Sequence, residues 1–192
     1  AFCAVRPPGH HAERASAMGF CFFANVSVAA RHAIAAHGLE RVAIIDFDVH
    51  HGNGTEDCVS GDDRILMCSI FQHPFYPYSG TDKPAANMCN VPLAAGAGGE
   101  EFRDAVSQVW IPRLNEFKPQ LIVISAGFDG HYEDDMGGLK LLERDYAWCT
   151  VELMKVAAKH ANKRIVSMLE GGYVMTSLAR SVGAHLRALA EL

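Results

Sequence analysis

No two cysteines in this chain have the C-x-x-C spacing that clamps a structural metal. The six present, Cys3, Cys21, Cys58, Cys68, Cys89 and Cys149, are scattered and mostly lie inside apolar segments. They read as buried free thiols in a reducing compartment rather than as a disulfide framework. Basic charge is also short, since 17 Lys and Arg stand against 22 Asp and Glu for a net charge of -5. That leaves no electrostatic footprint for nucleic acid. The stretch GFCFFANVSVAA is too short and too interrupted to span a bilayer, and no charged segment precedes it. A soluble, cytoplasmic protein without a membrane partner is expected. There is no low-complexity linker and no internal repeat, so the 192 residues read as one domain.

What the chain does have is an alternation of element types. Short β-rich apolar runs occur at AFCAV, RVAIIDF, RILMCSI, QLIVIS and RIVSML. They lack the polar alternation of half-exposed strands, which is how strands buried on both faces read. Between them fall helical patterns over Asn25–His37, Glu100–Phe117 with an interruption at Pro112, Glu143–Ala161 and Thr176–Leu192. In the first of these, Val26, Ala29, Ala33 and Ala36 share a face, Asn25 can cap the start and Gly38 suits the end. The pattern predicts a mainly parallel sheet with right-handed crossovers in a three-layer α/β fold. Residues 71–99 read as a long Pro- and Gly-rich loop, a length that usually serves function.

In open parallel sheets ligands bind beyond the carboxyl ends of the strands. Here those ends carry RPPGHH, DFDVHHGNG, SIFQHPFYPYSG, SAGFDGH and EGGY, while the helix-to-strand connections look like plain turns. Asp48 and His50 are two residues apart and in extended chain point the same way. With Asp129 from a neighbouring strand end they offer two carboxylates and an imidazole, a set that suits a catalytic zinc with one position left open. The tandem His10 and His11 lie in a stiff Pro-rich turn and are suited to moving a proton at neutral pH. Tyr173 follows two glycines, and beside a metal its phenol could donate to an oxyanion. His32, His37, His160 and His185 lie in helical segments and read as surface or packing groups; His51 points away from His50 and reads as structural.

Together RPPGHHA, GFCFFAN, DFDVHHGNGT, SAGFDGHYEDDMGGL and EGGY resemble the zinc-dependent histone deacetylase and acetylpolyamine amidohydrolase family, in its class II-like branch. The resemblance runs from Val5 to about Leu189 and implies an arginase/deacetylase-like fold. It implies hydrolysis of an acetyl or other acyl amide on an amine such as acyl-lysine or acetylpolyamine. By position it makes Asp48, His50 and Asp129 the ligands of one zinc ion, His11 the general base and His10 an electrostatic partner or acid. The same resemblance implies that Asp46 orients His10 and that Asn53, where many class I relatives carry Asp, tunes His11. It implies Tyr173 as the group that stabilises the oxyanion, Phe20 as one wall of the substrate channel, Gly19 as a backbone acceptor and Met136 as a floor or rim. Phe75 and Tyr76 both qualify for the second wall, with Tyr76, directly before Pro77, preferred. Backbone oxygens of Asp46, Asp48, His50, Ser69 and Ile70 are implied to hold a structural potassium ion.

The family domain has a further part upstream of RPPGHHA, and the chain opens on Ala1, so a fragment comprising the larger, C-terminal portion of the domain is expected. Two rival readings compete with the hydrolase. A two-manganese ureohydrolase of the same fold needs extra aspartates, but Gly52 and His131 stand where they would be. A catalytically silent acyl-lysine binding or scaffolding module needs neither Tyr173 nor both tandem histidines.

Overall fold

Six short parallel strands form the middle layer of the molecule, whose computed structural model describes residues 1–191. The strands are β1 (Phe2–Cys3), β2 (Val42–Asp46), β3 (Ile65–Gln72), β4 (Met88–Leu93), β5 (Leu121–Ala126) and β6 (Ile165–Leu169), arranged β1-β6-β5-β2-β3-β4. The helices are α1 (Asn25–His37), α2 (Asn53–Val59), α3 (Gly99–Ala105), α4 (Ile111–Phe117), α5 (Glu143–His160) and α6 (Met175–Leu189). The expected α/β architecture is present, and Leu192, the last residue of the fourth predicted helix, lies outside the described residues.

Alternate residues of the central strand feed two cores. Val42 and Ile44 pack with Val26, Ala30 and Ala33 of α1, while Ala43 and Ile45 pack with Trp110, Tyr146 and Leu153 from the helices across the sheet. With both faces covered, a strand has no need of polar alternation, which is why these runs are continuously apolar.

Local readings needed correction in four places. Residues 71–99 are not one long loop. They contain β4, paired only with β3, and Pro92 is tolerated there because an edge strand can spare an N–H. The helix after it is not broken at Pro112. A π-helical turn over Val106–Trp110 joins α3 to α4, and the proline follows directly after it, in the first turn of α4. Asn25 is the first residue of α1 and does not cap it; its amide donates to the Pro7 carbonyl at 3.3 Å. On the same helix Ala30, not Ala36, completes the buried stripe, whereas Gly38 closes the helix with φ 66° as expected.

The chain runs β2, β3, β4 to one side and then returns to place β5 on the other side of β2. The reversal of strand order therefore lies between β2 and β5. A crevice opens at such a point beyond the strand ends, and here it receives the segments that follow Asp46 and Ala126.

Candidate metal and acyl-transfer site

β2 ends at Asp46, and the chain then bends, so Asp48 and His50 do not converge through extended geometry. Their side chains meet all the same. His50 Nδ1 lies 3.0 Å from Asp48 Oδ1 and 3.2 Å from Asp129 Oδ2. Asp129 Oδ2 is buried and has no hydrogen-bond partner beyond its contact with this imidazole. The remaining carboxylate oxygens are tied to backbone: Asp48 Oδ2 accepts from Gly171 N–H at 2.8 Å and Asp129 Oδ1 from Val49 N–H at 3.0 Å.

Two glycines make this approach possible. A Cβ on Gly127 would sit 2.0 Å from Asp48 Oδ2, and one on Gly171 would sit 2.0 Å from Asp129 Oδ2. Ligand-capable atoms of Asp48, His50 and Asp129 lie within 4.8 Å of one another, the one such buried group among the described residues. Burial pushes Asp129 up to about 6, helped by the Asp48 charge beside it. Burial opposes charge on His50, yet contact with Asp129 and Asp48 pushes it up to about 10. Two buried carboxylates therefore call for positive charge at their centre. An unpaired carboxylate oxygen, a converging imidazole and a glycine-lined approach together fit a divalent metal ion with oxygen and nitrogen ligands.

The tandem histidines stand against this group with ring centroids 4.1 Å apart. His10 Nδ1 lies 3.0 Å from Asp46 Oδ2, while Asp46 Oδ1 accepts from Asp48 N–H at 3.1 Å. Burial disfavours the imidazolium of His10, but the charges of Asp48 and Asp46 outweigh it and hold its pKa well above the ordinary value. His11 behaves oppositely. Burial and the neighbouring His10 charge lower it to about 3, although its Nδ1 has an acceptor in Asn53 Oδ1 at 2.7 Å. Two adjacent histidines thus hold different protonation states, the separation expected of groups with different proton-transfer tasks.

A cavity of about 480 Å³ opens over these residues, lined by His11, Gly19, Phe20, His50, Phe75, Tyr76, Met136 and Tyr173. Phe75 stacks on His50 at 5.3 Å, and Tyr76 sets its ring edge 5.2 Å from His11, so both aromatics border the cavity. Phe20 and Tyr173 face each other at 6.4 Å. Burial, together with the Asp48 and Asp129 charges, raises the Tyr173 phenol well above its ordinary range, which keeps it a proton donor at neutral pH. Gly19 has φ 55°, and a Cβ there would meet the His11 ring at 2.1 Å.

The residues implied for potassium lie at the end of β2, in the segment that follows it and within β3, with Asp46 and Ser69 as register partners. His51 turns away from the cavity, its Nε2 2.8 Å from Glu56 Oε2 and its ring 4.5 Å from Phe71. His131, also buried, sets Nε2 3.4 Å from Glu143 Oε1 rather than facing the Asp48 group.

Two buried carboxylates of this region were not singled out from sequence. Glu170 Oε2 accepts the N–H groups of Gly9 at 2.6 Å and His10 at 3.1 Å, and its Oε1 accepts from Ser125 Oγ at 3.0 Å. It thereby holds the backbone of the tandem-histidine turn. Asp134 does the same for the turn at Tyr173. Both lie inside quoted motifs, EGGY and SAGFDGHYEDDMGGL, and that position was the available signal.

Comparison with known proteins fits this geometry. The chain is 44% identical over 213 residues to Type-2 histone deacetylase 2 of Dictyostelium discoideum, covering 100% of this chain and 12% of that protein. It is 41% identical over 180 residues to the histone deacetylase-like amidohydrolase of Pseudomonas aeruginosa, covering 90% of this chain and 47% of that protein. The crystal structure of the HDA15 HD domain superposes with a TM-score of 0.91 at 35% identity, over 99% of this chain and 56% of that one. The chain thus spans between 12% and 56% of these relatives. A model of the histone deacetylase domain matches residues 1–189, and the chain belongs to that family.

Proposed function

We propose that this chain carries the catalytic centre of a zinc-dependent amidohydrolase that removes an acetyl or other acyl group from an amine, such as an acylated lysine or polyamine. The observation that carries the reading is the convergence of three kinds of group on one apolar cavity. These are the Asp48, His50 and Asp129 cluster, the differently protonated His10 and His11, and the raised phenol of Tyr173.

Asp48, His50 and Asp129 would hold the zinc ion, which supplies Lewis acidity toward an acyl carbonyl and toward water. Gly19, Phe20, Phe75, Tyr76 and Met136 would grip a linear, largely apolar stem and orient the amide over the histidines. His11, neutral at physiological pH, takes a proton from the attacking water at Nε2 while Asn53 holds Nδ1. Tyr173 donates from its hydroxyl to the developing oxyanion of the acyl carbon. His10, protonated and anchored by Asp46, would hold positive charge behind His11 and assist departure of the amine. Backbone oxygens of Asp46, Asp48, His50, Ser69 and Ile70 would hold a potassium ion. The Ser69 hydroxyl, buried without a partner there, is consistent with a nearby cation.

A single metal ion fits better than a manganese pair. A Cβ on Gly52 would already lie 2.4 Å from Asp46 Oδ2, so a further carboxylate has no room at that position. The test is metal analysis combined with acetyl-lysine and acetylpolyamine hydrolysis by the full-length protein. One zinc per chain with turnover is the expected result. Stoichiometric zinc with no turnover of any acyl amine would favour a binding module instead.

A further inference from the structure

We infer that Glu13, which no role above includes, is a positioning residue that fixes the tautomer of His11 through the side chain of Asn53. The Asn53 amide sits between two neighbours of different chemistry. Its Oδ1 is 2.7 Å from His11 Nδ1, and its Nδ2 donates to Glu13 Oε1 at 2.7 Å and lies 3.2 Å from Met18 Sδ.

An amide side chain has a donor end and an acceptor end and can turn over to exchange them. A carboxylate oxygen and a thioether sulfur only accept, so both demand the NH2 end of Asn53. The oxygen end is then left for His11. An acceptor placed against Nδ1 requires the proton to be on Nδ1, which leaves the lone pair on Nε2. In the turned amide, Asn53 Oδ1 would face Glu13 Oε1 at hydrogen-bond distance with no proton between them. The NH2 group would then face Nδ1 and select the tautomer with its proton on Nε2, which cannot accept another there. The choice is thus made two residues away from the imidazole, by a group that cannot donate.

Glu13 is itself held in place. Its N–H donates to the Ser16 carbonyl at 2.9 Å, and the next N–H, of Arg14, donates to Asp57 Oδ2 at 2.8 Å. The side chain is half-buried and, with Asn53, His51 and Glu56, borders a second cavity of about 470 Å³ distinct from the one His11 lines. It does not line the first cavity, and its hydrogen bond toward His11 runs through Asn53. The catalytic consequence rests on the reading of His11 as the base; the tautomer assignment does not.

The experiment uses the zinc-loaded full-length protein with 15N-labelled histidine, and long-range 1H–15N correlation identifies which nitrogen of His11 carries the proton. His11 should be the Nδ1–H tautomer alone. In Glu13→Gln, whose amide can either donate or accept, an Nε2–H population should appear. There kcat should fall roughly tenfold with KM within about twofold, a partial loss of general-base catalysis. Glu13→Asp, still acceptor-only, should keep the native tautomer and recover most of the rate. A native Nε2–H tautomer, or an unchanged single Nδ1–H tautomer in Glu13→Gln, overturns the inference. Absence of turnover in the native protein would instead count against the proposed reaction, and the tautomer measurement would still decide the role of Glu13.

Discussion

Asp134 accepts the backbone N–H of Tyr173 at 2.7 Å and that of Val174 at 3.2 Å through one oxygen, while the other accepts the N–H of Met136 at 3.1 Å. One carboxylate, 4% exposed, therefore ties the turn bearing the phenol to the loop bearing a wall of the cavity. Asp134→Asn turns one of the two acceptor oxygens into a donor that opposes either the Met136 N–H or the Tyr173 and Val174 N–H groups, which breaks the tie between the two segments. We expect kcat/KM to fall on the order of 10² fold, the scale of a displacement near 1 Å. Both kcat and KM should move. A rise in KM alone would show that Asp134 orders the rim without placing Tyr173.

Tyr173→Phe removes only the hydroxyl. If that hydroxyl serves the transition state and not the bound substrate, kcat should drop by about 10² to 10³ fold with KM little changed. Zinc content should stay at the native level, since no ligand is altered. Undiminished turnover would take Tyr173 out of the mechanism.

His11 is held neutral down to about 3 with a neutral partner, Asn53. Replacing that partner by a carboxylate, Asn53→Asp, stabilises the imidazolium and raises the pKa. The base works only when neutral, so activity is lost as pH falls through that pKa. The acidic limb of the kcat/KM profile should therefore shift to higher pH in the variant. A limb that stays in place would mean that Asn53 does not set the protonation of His11.

Much of this arrangement was legible in the residues because strand order and strand ends are encoded locally. Apolar runs without alternation marked β2, β3, β5 and β6, and the chemistry clustered after each of them. What stayed hidden was whatever depends on contacts distant in sequence. β4 exists because β3 offers it an edge, and Pro92 obscures it locally. α2 was missed because Asn53 and Gly54, both turn formers, open it. The roles of Glu13, Asp134 and Glu170 are hydrogen bonds spanning 39 to 161 residues, which no spacing rule reports. Even the Asp48 and His50 pair meets through a bend and not through strand geometry.

His185 shows how a helix histidine with no part in the site can still govern stability. It is fully buried on α6, with Nδ1 2.6 Å from Thr150 Oγ1 and Nε2 3.0 Å from Ser167 Oγ. The Thr150 hydroxyl already donates to the Tyr146 carbonyl at 2.6 Å, so it can only accept from His185 Nδ1–H. The Ser167 hydroxyl then donates to the bare Nε2. A second proton on the ring would break that bond and place a charge in the core. Burial accordingly lowers the pKa to about 4. Because the folded value lies below the unfolded one, near 6.5, the unfolded chain binds the proton first as pH falls. Folding stability is unaffected above that unfolded value, declines between roughly 6.5 and 4, and by the bottom of the window has lost on the order of 3 kcal/mol. Urea midpoints measured at pH 7 and pH 4.5 should differ more in the native protein than in His185→Gln, which carries no titrating group there. Equal pH dependence in the two proteins would assign the acid sensitivity of this fold to its other buried titratable groups, His11 and the carboxylates among them.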